Sequence, residues 1–202
     1  GKHLRTTSLR VDNDILIDAG TGVTDLSLTE MSMIDHIFLT HSHLDHIATI
    51  PFIVDTVGAM RDKPITVYAI EETLETLRKH IFNWSVWPDF TSIPTAEKPF
   101  MRYETIKEGQ SISLDGRKLT VLPANHTVPA VGYQVDSGQG SLVFTGDTGP
   151  CPELWQYVNQ IRNLRYLIDI KYDTLHLFDI EHREIAAPPG IFSMLIKHNL
   201  PI

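Results

Sequence analysis

The sequence predicts a mixed α/β (α+β) fold in which two sheets are sandwiched by helices. Three observations predict it: short apolar runs bounded by turn residues alternate with helix-period segments, hairpin signals crowd the second half, and metal-capable side chains gather where a strand run stops. The chain has 202 residues, 42% hydrophobic and 21% charged, enough for a substantial core and short for two ordinary enzyme domains. The expected organisation is therefore one domain over 1–170, with 171–202 as a C-terminal segment packed on it.

The elements follow in order. Leu9 to Asp18 reads as two short strands around an Asp12-Asn13-Asp14 turn, ending in the loop Ala19-Gly20-Thr21-Gly22. A third strand spans Ile34 to Thr40, where Ile37, Phe38 and Leu39 run without alternation, as in a strand covered on both faces. Ile47 to Met60 reads as a helix, with Pro51 tolerable in its first turn. A strand over Pro64 to Ala69 and a helix over Glu71 to His80 come next, the latter with Leu74 and Leu77 on one face. Phe82 to Phe100, rich in aromatics and prolines, is expected to be a long loop or broken helix. Strands are expected at 111–114, 119–124, 130–136 and 142–145, with turns at Asp115-Gly116 and Ser137-Gly138. Pro152 to Ile161 reads as a helix and Tyr166 to Ile170 as a strand.

Composition narrows the function classes. A net charge of -8 argues against a protein that grips long nucleic acids by neutralising phosphates, although a bound dication could still hold a small anion. The single cysteine, Cys151, rules out an intrachain disulfide and a thiolate cage, which makes the cytoplasm the default expectation. No stretch approaches the roughly 20 apolar residues that span a bilayer. A chain opening on Gly1 rather than Met is expected to be processed or partial.

The chemistry concentrates in His41-Ser42-His43-Leu44-Asp45-His46, four metal-capable side chains within six residues at the end of a buried strand. Imidazole and carboxylate suit zinc, and a tight turn lets alternate side chains diverge toward two neighbouring ions. The alternative, a polar loop whose histidines cap the next helix, leaves that concentration a coincidence. His126 and Asp147 also stand just past strands, where active-site loops gather. Either one alone is more often a capping or turn residue.

Taken together, the strand-Thr40-His41-Ser42-His43-Leu44-Asp45-His46 turn, the upstream Leu16-Ile17-Asp18-Ala19-Gly20, His126 and Gly146-Asp147-Thr148 resemble motifs of the metallo-β-lactamase superfamily, in order, over roughly residues 5–167. That resemblance implies a four-layer αβ/βα sandwich and a site for two divalent metal ions, zinc being expected and manganese the alternative. It implies that His41, His43 and His126 hold one ion, that Asp45 and His46 hold the second, and that Asp147 bridges them. Asp18 would orient ligands rather than bind metal, its other reading being a turn-forming Asp before Ala-Gly.

Within the superfamily the chain looks most like class II cyclic-nucleotide phosphodiesterases and their bacterial relatives, on His43-Leu44-Asp45-His46-Ile47, the segment His80 to Phe90, and His126 to Tyr133. Trp84, Trp87 or Phe90 could then stack on a purine, or simply plug a gap between helix and sheet. The implied activity is hydrolysis of a 3′,5′-cyclic nucleotide or similar small phosphodiester, with Asp45 and Asp147 orienting a water activated by the two ions. A homodimer is compatible with this reading.

The runner-up, a tRNA 3′-end-processing endonuclease, shares the His126 to Tyr133 and Gly146 to Pro150 likeness, but the sequence has no Gly-rich basic arm. A third reading is a metal-binding module without turnover, because no segment after Leu167 matches the family's late histidine motif. His176 is the nearest in character, and His182 and His198 have no supporting context. The family's opening strand and Gly-rich turn also lack a counterpart before Arg5.

Overall fold

Leu9–Val11 (β1) and Ile15–Ile17 (β2) pair antiparallel, with Asp12 at φ 52° in the turn between them. The computed structural model describes residues 5–171, 174–178 and 184–185. They fall into two compact units, the first ending at Thr105 and the second beginning at Ile106.

In the first unit β1 and β2 lead to a short helix, Leu28–Ser32 (α1), which sequence reasoning missed. Its signal was present: Ser27 accepts from the Glu30 backbone N–H while the Glu30 carboxylate accepts from the Ser27 N–H, a reciprocal capping box. His36–Phe38 (β3) is shorter than the expected strand and is followed by Leu44–Ile47 (α2) and Ile50–Val57 (α3). The helix expected from Ile47 thus begins earlier, inside the histidine run, while Pro51 does sit in the first turn of α3. Ile65–Ala69 (β4) and Glu71–Thr76 (α4) follow as expected, except that α4 widens into a π-helical turn over Leu77–Ile81.

From there to Phe100 no helix or strand forms, only an isolated bridge between Pro94 and Pro99. Met101–Thr105 (β5) is a strand that sequence reasoning did not list. Only Met101 in it is buried, so its apolar signal is weak. The sheet order is β1-β2-β3-β4-β5, parallel from β2 to β5. Leu16, Ile37, Leu39, Ile53, Val54, Val57 and Leu74 share a hydrophobic cluster, while Phe38, between two of them, is buried outside it and stacks on Tyr68 with centroids 4.3 Å apart, so the apolar run of β3 is covered on both faces.

The second unit is a meander: Ser111–Leu114 (β6), Arg117–Pro123 (β7), Val131–Asp136 (β8) and Ser141–Asp147 (β9), each antiparallel to the next. After Pro152–Val158 (α5) comes Leu164–Lys171 (β10), parallel to β9, then Thr174–Phe178 (β11) and Glu184–Ile185 (β12). A crossover helix is what a parallel neighbour requires, and α5 supplies it, with Leu154 and Val158 in one cluster with Leu122, Val143 and Leu167. No helix among the described residues is long and apolar enough to cross a membrane.

Candidate metal centre

Two neighbouring parallel strands end side by side in the first unit, with Leu16 opposite Ile37 and Ile17 opposite Phe38. Loops beyond such strand ends are where ligands gather in open parallel sheets. Asp18 follows β2 at φ 58°, a left-handed conformation that Asp tolerates, and its N–H donates to the Phe38 carbonyl at 2.8 Å. Thr40 and His41 follow β3, His43 takes the N-cap position of α2, and Asp45 and His46 lie in that helix. His43 makes no side-chain capping bond, so the capping explanation of the histidines does not account for it.

Backbone bonds clamp the Asp18 loop to α2. The Ala19 N–H donates to the His46 carbonyl at 2.6 Å, and the Thr49 N–H and hydroxyl donate back to the Ala19 carbonyl at 2.9 and 2.8 Å. At Gly20 a Cβ would stand 2.1 Å from the Asp45 carbonyl oxygen and 2.6 Å from that of Thr7, so only glycine fits.

The side chains then form one proton-ordered network. Asp18 is fully buried and, as a carboxylate, can only accept. It takes the Thr40 N–H at 2.8 Å, the Thr40 hydroxyl at 2.8 Å and His46 Nδ1–H at 2.7 Å. Since the Thr40 proton points at Asp18, Thr40 Oγ1 is the acceptor for His41 Nδ1–H at 2.9 Å. One buried carboxylate thereby fixes two imidazole tautomers, with the proton on Nδ1 and the lone pair on Nε2 in both His41 and His46.

His41 Nε2 lies 3.0 Å from His43 Nδ1, and His46 Nε2 lies 3.5 Å from an Asp45 oxygen. Nitrogens on one tetrahedral zinc at about 2.05 Å each would be about 3.3 Å apart, so the His41–His43 spacing fits a shared cation closely. The three rings crowd together, His41 centroid to His43 at 4.6 Å and to His46 at 4.2 Å. Asp45 is half exposed beside them. This donor set of imidazoles and a carboxylate, with outer nitrogens already bonded, suits zinc-like dications.

In the second unit the loop that carries His126 is tied to the turn that follows Asp147. Asn125, next to His126, donates its N–H to Thr148 Oγ1 at 3.0 Å and its side-chain amide to the Pro150 carbonyl at 2.9 Å. The Gly149 N–H returns to the Asn125 carbonyl at 2.7 Å. Asp147 closes β9, behind Thr145, whose hydroxyl donates to Asp169 Oδ1 at 2.8 Å.

Of the three rings considered, Phe90 takes the second of the two expected roles, filling the core: it is buried in the core cluster, packed near Phe82 and Phe100. Trp84 is exposed and Trp87 partly buried. His176 falls in β11 opposite Asp169 in register, while His182 and His198 lie outside the described residues. Thr40 links Asp18 to His41, a role that the sequence alone does not assign to it. Its only signal is a hydroxyl immediately before a His-x-His pair.

These features have parallels elsewhere. A probable 3′,5′-cyclic-nucleotide phosphodiesterase of Yersinia pestis is 33% identical over 121 residues, which is 58% of this chain and 34% of that protein. Ribonuclease Z of Clostridium beijerinckii is 33% identical over 126 residues, 59% of this chain and 38% of that protein. The chain thus spans little more than a third of the length of these curated relatives. The structure of unliganded yeast PDE1 matches 69% of this chain and 45% of its own, with a TM-score of 0.59 and 19% identity, a likeness of fold. That fold is the α+β sandwich of the metallo-β-lactamase type. The model of the beta-lactamase superfamily domain matches residues 13–184, most of the sequence, and the chain belongs to that superfamily.

Proposed function

We propose that this chain is the catalytic part of a metal-dependent hydrolase acting on 3′,5′-cyclic nucleotides or a similar small phosphodiester. The observation that carries the reading is the buried Asp18 carboxylate, which orders His46 directly and His41 through Thr40. A packing or capping role needs no such ordering of outward nitrogens, whereas metal ligation does. The likeness to a probable cyclic-nucleotide phosphodiesterase directs the choice of substrate.

In this reading His41, His43 and His126 would hold one divalent ion and Asp45 and His46 a second, with Asp147 a ligand to the pair, zinc being the metal expected from the donor set. When bound, the ions supply a water of lowered pKa and positive charge against the phosphoryl oxygens. The chain's own residues do the rest. Asp18 and Thr40 keep the protons of His46 and His41 on Nδ1, so that Nε2 would be the ligating atom of each ring. Asp45, half exposed at the start of α2, and Asp147 would accept hydrogen bonds from the attacking water and so orient it toward the phosphorus.

The test is turnover of cyclic AMP, cyclic GMP and bis(p-nitrophenyl) phosphate by zinc- or manganese-loaded protein. Hydrolysis of at least one is expected, with His43→Ala and Asp147→Ala each lowering kcat/KM by roughly 10²-fold or more. Fully metallated protein that turns over none of the three sinks the proposal. The second reading, a ribonuclease on tRNA precursors, is favoured by the 33% identity to ribonuclease Z. It requires salt-sensitive tRNA binding, which a chain of net charge -8 is not expected to show.

A further inference from the structure

Trp84 combines two costly features. It is 64% exposed, and its φ of 65° puts a bulky aromatic residue in the left-handed region that favours glycine. Such strain persists only where the surroundings over-determine it, and here they do. The Asn83 side chain accepts from the N–H groups of Ser85 and Val86 at 3.0 and 2.8 Å and donates to the Lys79 carbonyl at 2.9 Å. The Trp84 N–H donates to the Trp87 carbonyl at 2.9 Å, and the Trp87 N–H to that of Ile81 at 3.0 Å. An indole left in water gains nothing from this scaffold, whereas a ligand stacked on it does.

The turn is also fixed in place relative to the histidine cluster. Trp87 packs edge-on against Phe52 of α3, with centroids 5.1 Å apart. Phe52 is itself exposed, and α3 follows α2 across a two-residue joint, Ala48 and Thr49, where the Thr49 N–H is tied to the Ala19 carbonyl at 2.9 Å. Phe52 therefore comes seven residues after Asp45, a stretch that reaches at most about 25 Å even when fully extended. An aromatic ledge thus stands near a candidate metal ligand along the chain.

We propose that Trp84, braced by Trp87 and Phe52, is the stacking shelf for the heteroaromatic base of the substrate; this rests on the phosphodiester reading above. One flat indole face suits a single planar ring. A stable protein partner would need on the order of 1,000 Å² of contact, far more than this small ledge flanked by the polar Asn83 and Ser85.

The experiment compares binding of adenosine 5′-monophosphate, ribose 5-phosphate and inorganic phosphate to the zinc-loaded full chain by calorimetry. The base-bearing ligand is expected to bind roughly 5- to 100-fold more tightly than ribose 5-phosphate. Trp84→Gly should abolish that preference while its Tm stays level or rises, since glycine tolerates the turn. Equal binding of the two ligands by the parent protein overturns the shelf, and so does a Trp84→Gly variant that melts lower and weakens both ligands alike. The two proposals fail separately. If the base preference holds but cyclic AMP is not hydrolysed, the shelf stands and the hydrolase falls; if cyclic AMP is hydrolysed with the same KM by Trp84→Gly, the reverse is true.

Discussion

At Asp18 a single buried oxygen pair accepts from Thr40 and His46 together, so the effects of its loss reach both outward-facing imidazoles. Asp18→Asn puts an amide N–H where an acceptor is needed, and both tautomers become free to flip. Zinc affinity measured by chelator competition should fall about 10- to 100-fold. Thr40→Val, which keeps the Asp18–His46 bond, should cost less. Equal zinc affinity in Asp18→Asn and the parent would remove the ordering role. At this scale the histidine run was legible because its metal-capable side chains are neighbours in sequence. The Asp18 role came only through family resemblance, and Thr40, though part of the motif, had no role assigned, because its hydroxyl gains meaning from a partner 22 residues away.

Elements were legible where an apolar period ran long enough, and blurred where a few residues had to decide. Each of β1, β2 and β3 is three residues, and α2 is four, so tertiary contacts set their ends. The α2 start is one such case, held by the Gly20 close approach to the Asp45 carbonyl. Gly20→Ala should push α2 away from the Asp18 loop and destabilise by about 2 kcal/mol or more, read as a lower urea midpoint at unchanged m-value. An unaltered midpoint would mean that the loop yields freely. A second junction joins the exit of α3 to the entry of β3. Arg61, nearly buried, bonds both the Ser32 carbonyl and Asp35, and Lys63 reaches Asp35 at 2.6 Å. Burial raises the Asp35 pKa, but hydrogen bonds from Lys63 and Arg61 more than offset it, leaving the group below its ordinary 3.8. A depressed folded value means that the stabilisation is complete above the unfolded pKa and is lost as pH falls through the folded one. Thermal melts should therefore show Tm dropping at the acid end, and Asp35→Asn should flatten that limb while lowering Tm at neutral pH by stranding Arg61. An acid limb identical in both proteins would contradict the pairing.

Across the whole chain, the legible quantities were those that add up over residues: the mixture of strand and helix periods, the acidic balance of -8, and the order of the motifs. The order of strands in each sheet was not, because which strands become neighbours depends on crossovers that local periodicity does not encode. Metal binding is the property that joins these scales. An ion that binds the folded chain and not the unfolded one stabilises by mass action, about 2.7 kcal/mol at a hundredfold excess over Kd. For a chain of this length that corresponds to a Tm rise of roughly 5–10 °C on adding zinc to metal-stripped protein. His43→Ala removes one of the proposed ligands, from the His41–His43 pair whose nitrogens stand 3.0 Å apart, and should lose most of that rise. Surface residues far from the cluster should keep it. Because the readout is stability rather than turnover, it separates a metal site from an active enzyme: a zinc-independent Tm in the parent protein would remove the ions from the account altogether, whatever substrate the chain were found to bind.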